Sequence, residues 1–130
     1  MRIEVDPKAP SPPSEQIADQ VRYAVASGRL RPGDRLPSVR GLAETALVNP
    51  NTVAKAYRDL EREGTVETRP GSGVFVASRA AGRCASMRDA KIGERVTRAV
   101  AEAMAAGLQT DEIEEIVARA LRRAHAEVSS

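Results

Sequence analysis

The chain has 130 residues, the size of one domain with an appendage, so a catalytic domain joined to a separate regulatory domain does not fit. Twenty Lys and Arg against eighteen Asp and Glu leave a formal net charge of +2, which decides nothing until its distribution is known. Three aromatics (Tyr23, Tyr57, Phe75) are too few for a base-stacking surface, which argues against single-stranded nucleic-acid modules. One Cys (Cys84) and one His (His125) exclude an intrachain disulfide and leave a zinc site short of its usual four ligands. No apolar run approaches the ~18 residues of a membrane span, and no signal-peptide core follows Met1. The chain reads as soluble and cytosolic.

Four prolines in the first thirteen residues (Pro7, Pro10, Pro12, Pro13) predict an extended arm. Ile17, Val21, Ala24 and Val25 then recur at helical spacing, so a first helix is expected at about 14–27, closed by Gly28. Leu30 to Pro37 reads as turn chemistry around Pro32-Gly33. A short helix follows at about 38–46, with Ser38 as N-cap and Val39, Leu42, Ala43 and Ala46 on one face. Asn49 is the next cap and Pro50 the first helical residue of a third helix. Its apolar stripe is Val53, Ala56, Tyr57 and Leu60, and Gly64 is the stop. Two short helices joined by about three residues form a helix-turn-helix pattern.

After Gly64 the period switches to two. Val66 and Thr68 precede Arg69-Pro70-Gly71-Ser72-Gly73, and Val74, Phe75 and Val76 follow, which predicts a β-hairpin with a glycine-rich tip. Helix, helix-turn-helix and hairpin in this order describe a winged helix over about 14–77. Residues 78–86 read as a linker. Beyond it a helical tail is expected, with Ile92, Val96, Val100 and Met104 on a helix at about 87–106 and Gly93 weakening its start. A last helix at about 111–127 carries Ile113, Ile116, Val117, Leu121 and Ala124, capped by Thr110, with Asp111 and Glu112 where the helix dipole favours negative charge. The expected class is therefore mainly α with a small β-hairpin: a winged helix-turn-helix followed by a two-helix tail.

Charge is uneven along this frame. Residues 20–58 hold seven bases (Arg22, Arg29, Arg31, Arg35, Arg40, Lys55, Arg58) against two acids (Asp34, Glu44), whereas residues 59–68 hold four acids against Arg62. The positive excess coincides with the helix-turn-helix, as a phosphate-binding face requires; a solvated face is the plainer reading of the same count. A recognition helix reads bases chiefly with its N-terminal residues. Here these are Asn49, Asn51, Thr52 and Lys55, all polar, with Asn suited to adenine and Thr to a thymine methyl or a phosphate. Asn49 also serves as the cap. At the hairpin tip, Arg69 is suited to a minor groove and the glycines permit close approach of the backbone.

Catalytic readings find little support. Cys84 falls in the expected linker, 41 residues before His125, and nothing orients the two together. Lys8, Lys55 and Lys91 lie in no apolar setting that would depress a lysine pKa. Glu112, Glu114 and Glu115 are too close in sequence for paired-carboxylate catalysis, and Glu115 with Arg119 is spaced as a helical ion pair. No catalytic activity and no cofactor are expected.

Leu30-Arg31-Pro32-Gly33-Asp34-Arg35-Leu36-Pro37-Ser38-Val39-Arg40, Val48-Asn49-Pro50-Asn51-Thr52-Val53-Ala54-Lys55-Ala56-Tyr57 and Leu60-Glu61-Arg62-Glu63-Gly64 closely resemble the GntR family of bacterial transcription regulators. Members pair this winged helix with a C-terminal domain that usually binds a small effector; the short tail here is similar to that of the YtrA-type subgroup, where it serves dimerisation. The resemblance implies DNA contact by Arg40, by Asn49, Asn51 and Thr52, and by Gly71 in the wing. With Arg35, Ser38, Lys55 and Arg69 these complete the candidate DNA-binding set. Three positions depart from the family pattern. Ser14 stands where an aromatic is common, and Gly41 replaces a usual glutamate at a helix cost of about 1 kcal/mol. Leu47 occupies a turn position where glycine is usual, at a cost of about 1–2 kcal/mol if the turn demands positive φ.

The tail points to a second copy. Residues 83–130 offer eleven large apolar residues, eleven alanines and no aromatic, too little for a separate core. Ile92, Val96, Val100, Met104, Ile113, Val117 and Leu121 are therefore expected at a two-fold homodimer interface. The reading is a repressor that binds an inverted-repeat operator in double-stranded DNA. Its rivals are a winged-helix protein-interaction module without specific DNA binding, and a fragment of the aminotransferase-fused relatives, for which no cofactor lysine is present.

Overall fold

The computed structural model describes residues 2–129, without the side chain of residue 129. The elements run α1 (Pro13–Ala26), α2 (Val39–Ala46), α3 (Pro50–Arg62), β1 (Val66–Arg69), β2 (Gly73–Val76), α4 (Ala80–Ala105) and α5 (Thr110–Ser129). They fall into two units, one ending at Asp89 and the other beginning at Ala90. Among the described residues no helix is long and apolar enough to cross a membrane.

In the first unit the helix boundaries follow local chemistry. Pro13 opens α1 where a missing N–H costs nothing, and Gly28 turns the chain out of it at φ 82°. Ser38 Oγ accepts from the Gly41 amide at 3.0 Å, and Asn49 Oδ1 accepts from the Asn51 amide at 2.8 Å, so both helices of the helix-turn-helix are capped by their own side chains. Ile17, Val21 and Val25 of α1 pack with Leu42 of α2, Val53, Tyr57 and Leu60 of α3, and Val66 and Val76 of the hairpin in one buried core. The hairpin is antiparallel, with Val66 opposite Val76 and Arg69 opposite Gly73.

Three features differ from the sequence expectation. The segment read as turn chemistry also pairs with the wing: the Leu36 amide donates to the Val74 carbonyl and the Val76 amide to the Asp34 carbonyl, both at 2.8 Å. Residues 80–86 are not a linker but the first turns of α4, because Ala80 and Cys84, spaced four apart, are fully buried in the core. The arm is docked, and residues 7–11 turn rather than extend, with the Ala9 amide donating to the Asp6 carbonyl at 3.2 Å. Ile3 enters the core, and two glutamines one helical turn apart on α1 hold the backbone beside it. Gln20 accepts from the Glu4 amide at 3.0 Å and donates to its carbonyl at 2.6 Å; Gln16 does the same for Asp6 at 2.8 and 2.9 Å. Side-chain amides here satisfy backbone groups that belong to no helix or sheet.

A polar knot closes the far side of this unit. Arg22 reaches Glu63 at 2.6 Å and Asp19 at 2.9 Å, and Thr65, fully buried, donates to Glu63 at 3.1 Å. Burial works against the Arg22 charge, but the hydrogen bonds and charges of Glu63 and Asp19 outweigh it and raise the pKa.

The second unit is two helical segments with no buried side chain among the described residues; the buried Ala80 and Cys84 of α4 belong to the first unit. Gly93 lies inside α4 rather than near its start, since the helix begins at Ala80. Ile92, Val96, Met104, Val117 and Leu121 are exposed, Val100 and Ile113 half-buried. Ile116 and Val128 are exposed as well.

Candidate nucleic-acid interface

The start of α3 presents its polar groups unequally. Asn49 has its side-chain oxygen committed to the cap, which leaves only its NH₂ for an outside partner. Asn51, exposed, keeps both ends of its amide for bidentate contact. Thr52 is half-buried and Lys55 exposed, but Lys55 Nζ sits 3.1 Å from Asp59, which Arg62 also approaches at 3.4 Å. Arg40, on α2, is exposed and has no ion pair among the described residues. Ser38 is exposed and acts as the α2 cap. The Gly41 departure has no structural explanation: a Cβ there would stand 3.0 Å from Ser38 Oγ, and a serine cap ordinarily accommodates a side chain three residues on.

Between α2 and α3 the turn passes through Leu47, which adopts φ 57°, ψ 48° and is 90% exposed. The left-handed conformation that the sequence made conditional is therefore present, in a residue with a Cβ. The Val48 amide donates to the Ala43 carbonyl at 3.1 Å, completing the helix end.

The wing gathers two of the predicted cations. Arg69 lies 4.3 Å from the centroid of the Phe75 ring and 3.1 Å from Glu67, so it is braced rather than loose. Arg35 bridges to Phe75 through the backbone, and its guanidinium rests on Gly73, where a Cβ would come within 2.9 Å of Nε. Gly71, at φ 77°, forms the open tip with nothing near its missing side chain. Arg58 lies outside the candidate DNA-binding set. It is exposed on the same face of α3 as Asn51, seven residues on, and has no hydrogen bond or ion pair among the described residues. Helical spacing alone was the signal that could have found it.

Cys84 and His125 do not form a site within either unit. Cys84 is buried with its sulfur 3.8 Å from the Thr65 hydroxyl, and burial pushes the thiol pKa up; His125 is exposed on α5.

The sequence profile of bacterial regulatory proteins of the gntR family matches residues 13–76. The HTH-type transcriptional repressor YtrA of Bacillus subtilis is 38% identical over 113 residues, 87% of this chain and 87% of that protein. Among solved structures, YtrA from Sulfolobus acidocaldarius, a GntR-family transcription factor, aligns with a TM-score of 0.58 and 35% identity over 78% of this chain and 99% of that one. The DNA-binding domain of AraR in complex with operator ORX1 aligns with a TM-score of 0.54 and 26% identity over 59% of this chain and 99% of that one. With a capped helix-turn-helix, a braced wing and a helical tail, and with similarity to YtrA along most of its length, the chain belongs to the YtrA-type subgroup of the GntR family.

Proposed function

We propose that this protein is a transcriptional repressor that binds a double-stranded DNA operator as a homodimer, each winged helix taking one half of an inverted repeat. The observation that carries the reading is Asn51: an uncommitted amide on the exposed start of a capped second helix in a helix-turn-helix, where base edges are read. Arg40, Asn49, Thr52 and Lys55 form the contact set around it, with Ser38 at the start of α2 and Arg35, Arg69 and Gly71 in the wing. The repressor named YtrA and the AraR domain bound to its operator support the same reading. Dimerisation through the tail is supported by the apolar side chains left exposed on α4 and α5. The protein acts in the cytoplasm and has no catalytic role.

Selection of bound duplexes from a random pool tests this directly. The expected product is an inverted repeat with half-site centres about one helical turn, or a multiple of it, apart. Recovery of no enriched sequence, together with equal binding to all duplexes, would overturn the operator reading and favour the protein-interaction module.

A further inference from the structure

We infer that Arg58 is a DNA-backbone contact of α3, kept available because Thr68 of the wing holds away the carboxylate that would otherwise neutralise it; this rests on the DNA-binding reading above. Four residues, Asn51, Lys55, Arg58 and Arg62, follow one another along the exposed face of α3 at helical spacing, opposite the buried Val53, Ala56, Tyr57 and Leu60. Three are basic, but they are not equivalent. Lys55 and Arg62 share Asp59, at 3.1 and 3.4 Å, which answers part of their charge within the helix itself.

Two acids follow Arg58 on α3, and each is engaged elsewhere. Asp59 is held by that pair. Glu61, three residues on, is the natural helical partner of Arg58. Instead Glu61 accepts a hydrogen bond from the Thr68 hydroxyl on β1, a contact that joins the end of α3 to the wing. Arg58 is left exposed, without a hydrogen bond or ion pair among the described residues. It follows Asn51 by two turns, so it lies about 10 Å further along the axis on the same exposed face. A free guanidinium there gains by releasing condensed counterions; a paired one first has to break its own bridge.

The test uses the full chain and a fluorescent duplex of the sequence that the wild type enriches from a random pool, titrated across a salt series. Arg58→Ala is expected to weaken binding about tenfold and to lower the salt slope by about one, while Arg58→Lys keeps the slope. Arg98→Ala removes the same charge from the tail and is expected to stay within twofold of wild type. Thr68→Val frees Glu61 and is expected to lose affinity severalfold with a smaller slope; adding Glu61→Gln restores both. Circular dichroism confirms that each variant is folded. Binding by Arg58→Ala within twofold of wild type at an unchanged slope, or an equal loss in Arg98→Ala, overturns the inference while leaving the DNA-binding reading intact. A weakened Arg58→Ala with an unaltered Thr68→Val overturns the role of Thr68. If the wild type binds no duplex, the functional reading fails and takes this inference with it.

Discussion

The Tyr57 hydroxyl donates to the Pro37 carbonyl across 2.7 Å, tying the middle of α3 to the residue just ahead of the α2 cap. One phenol thus fixes the spacing of the two helices of the helix-turn-helix. Tyr57→Phe leaves the carbonyl without that donor and is expected to cost about 1–2 kcal/mol, read from urea unfolding. Burial also pushes the phenol pKa above its ordinary value of 10.0. The native state therefore keeps its proton where the unfolded chain loses it, and stability falls as pH rises above 10. This part of the pH dependence should be missing in Tyr57→Phe when unfolding midpoints at about pH 9 and 11 are compared.

Leu47 makes the opposite prediction, a gain. Its left-handed backbone costs about 1–2 kcal/mol relative to glycine, and its exposed side chain recovers almost nothing by packing. Leu47→Gly is expected to raise stability by about 1 kcal/mol after the greater freedom of glycine in the unfolded chain is subtracted. Thermal melts of the two proteins decide it. An unchanged or lower midpoint would mean that the side chain contributes to the native state after all.

Removing Arg22 should be costly. Arg22→Ala would leave Asp19 and Glu63 facing each other with side chains only 8% and 20% exposed. Breaking such a pair from one side is expected to cost about 3 kcal/mol. Arg22→Lys should recover only part of it, since lysine lacks the fork that reaches both carboxylates. Denaturant midpoints rank the three proteins.

For the tail, truncation after Asp89 retains Ala80 and Cys84 in the core and removes the exposed apolar surface. Light scattering should show a folded monomer for the truncated chain and a dimer for the full one. A truncated protein that still dimerises at micromolar concentration would move the interface to the winged helix.

What could be read in advance was local. Ser38, Asn49 and Pro50 announce helix starts by chemistry that acts within three residues, and the valine pattern of 66–76 announces the hairpin. What could not be read depends on partners distant in sequence. Leu36 pairs with Val74 across an interval of helices, so its local Pro-Gly context suggested only a turn. Gly82 and the serines at 78 and 86 suggested a linker because burial of Ala80 and Cys84 is a tertiary fact. The candidate site divides the same way. Polar residues at the start of α3 were visible, whereas the sharing of Asp59 by Lys55 and Arg62, and the isolation of Arg58, required side-chain positions.

Cys84 gives the molecule a clock. It is the single cysteine, fully buried at the second turn of α4, with a thiol whose pKa is raised by that burial. An alkylating reagent therefore reaches it only when the start of α4 lifts from the winged helix. The rate of alkylation would count those openings one by one, and a change in that rate on adding DNA would reveal whether binding at one end of the domain is felt at the root of the tail.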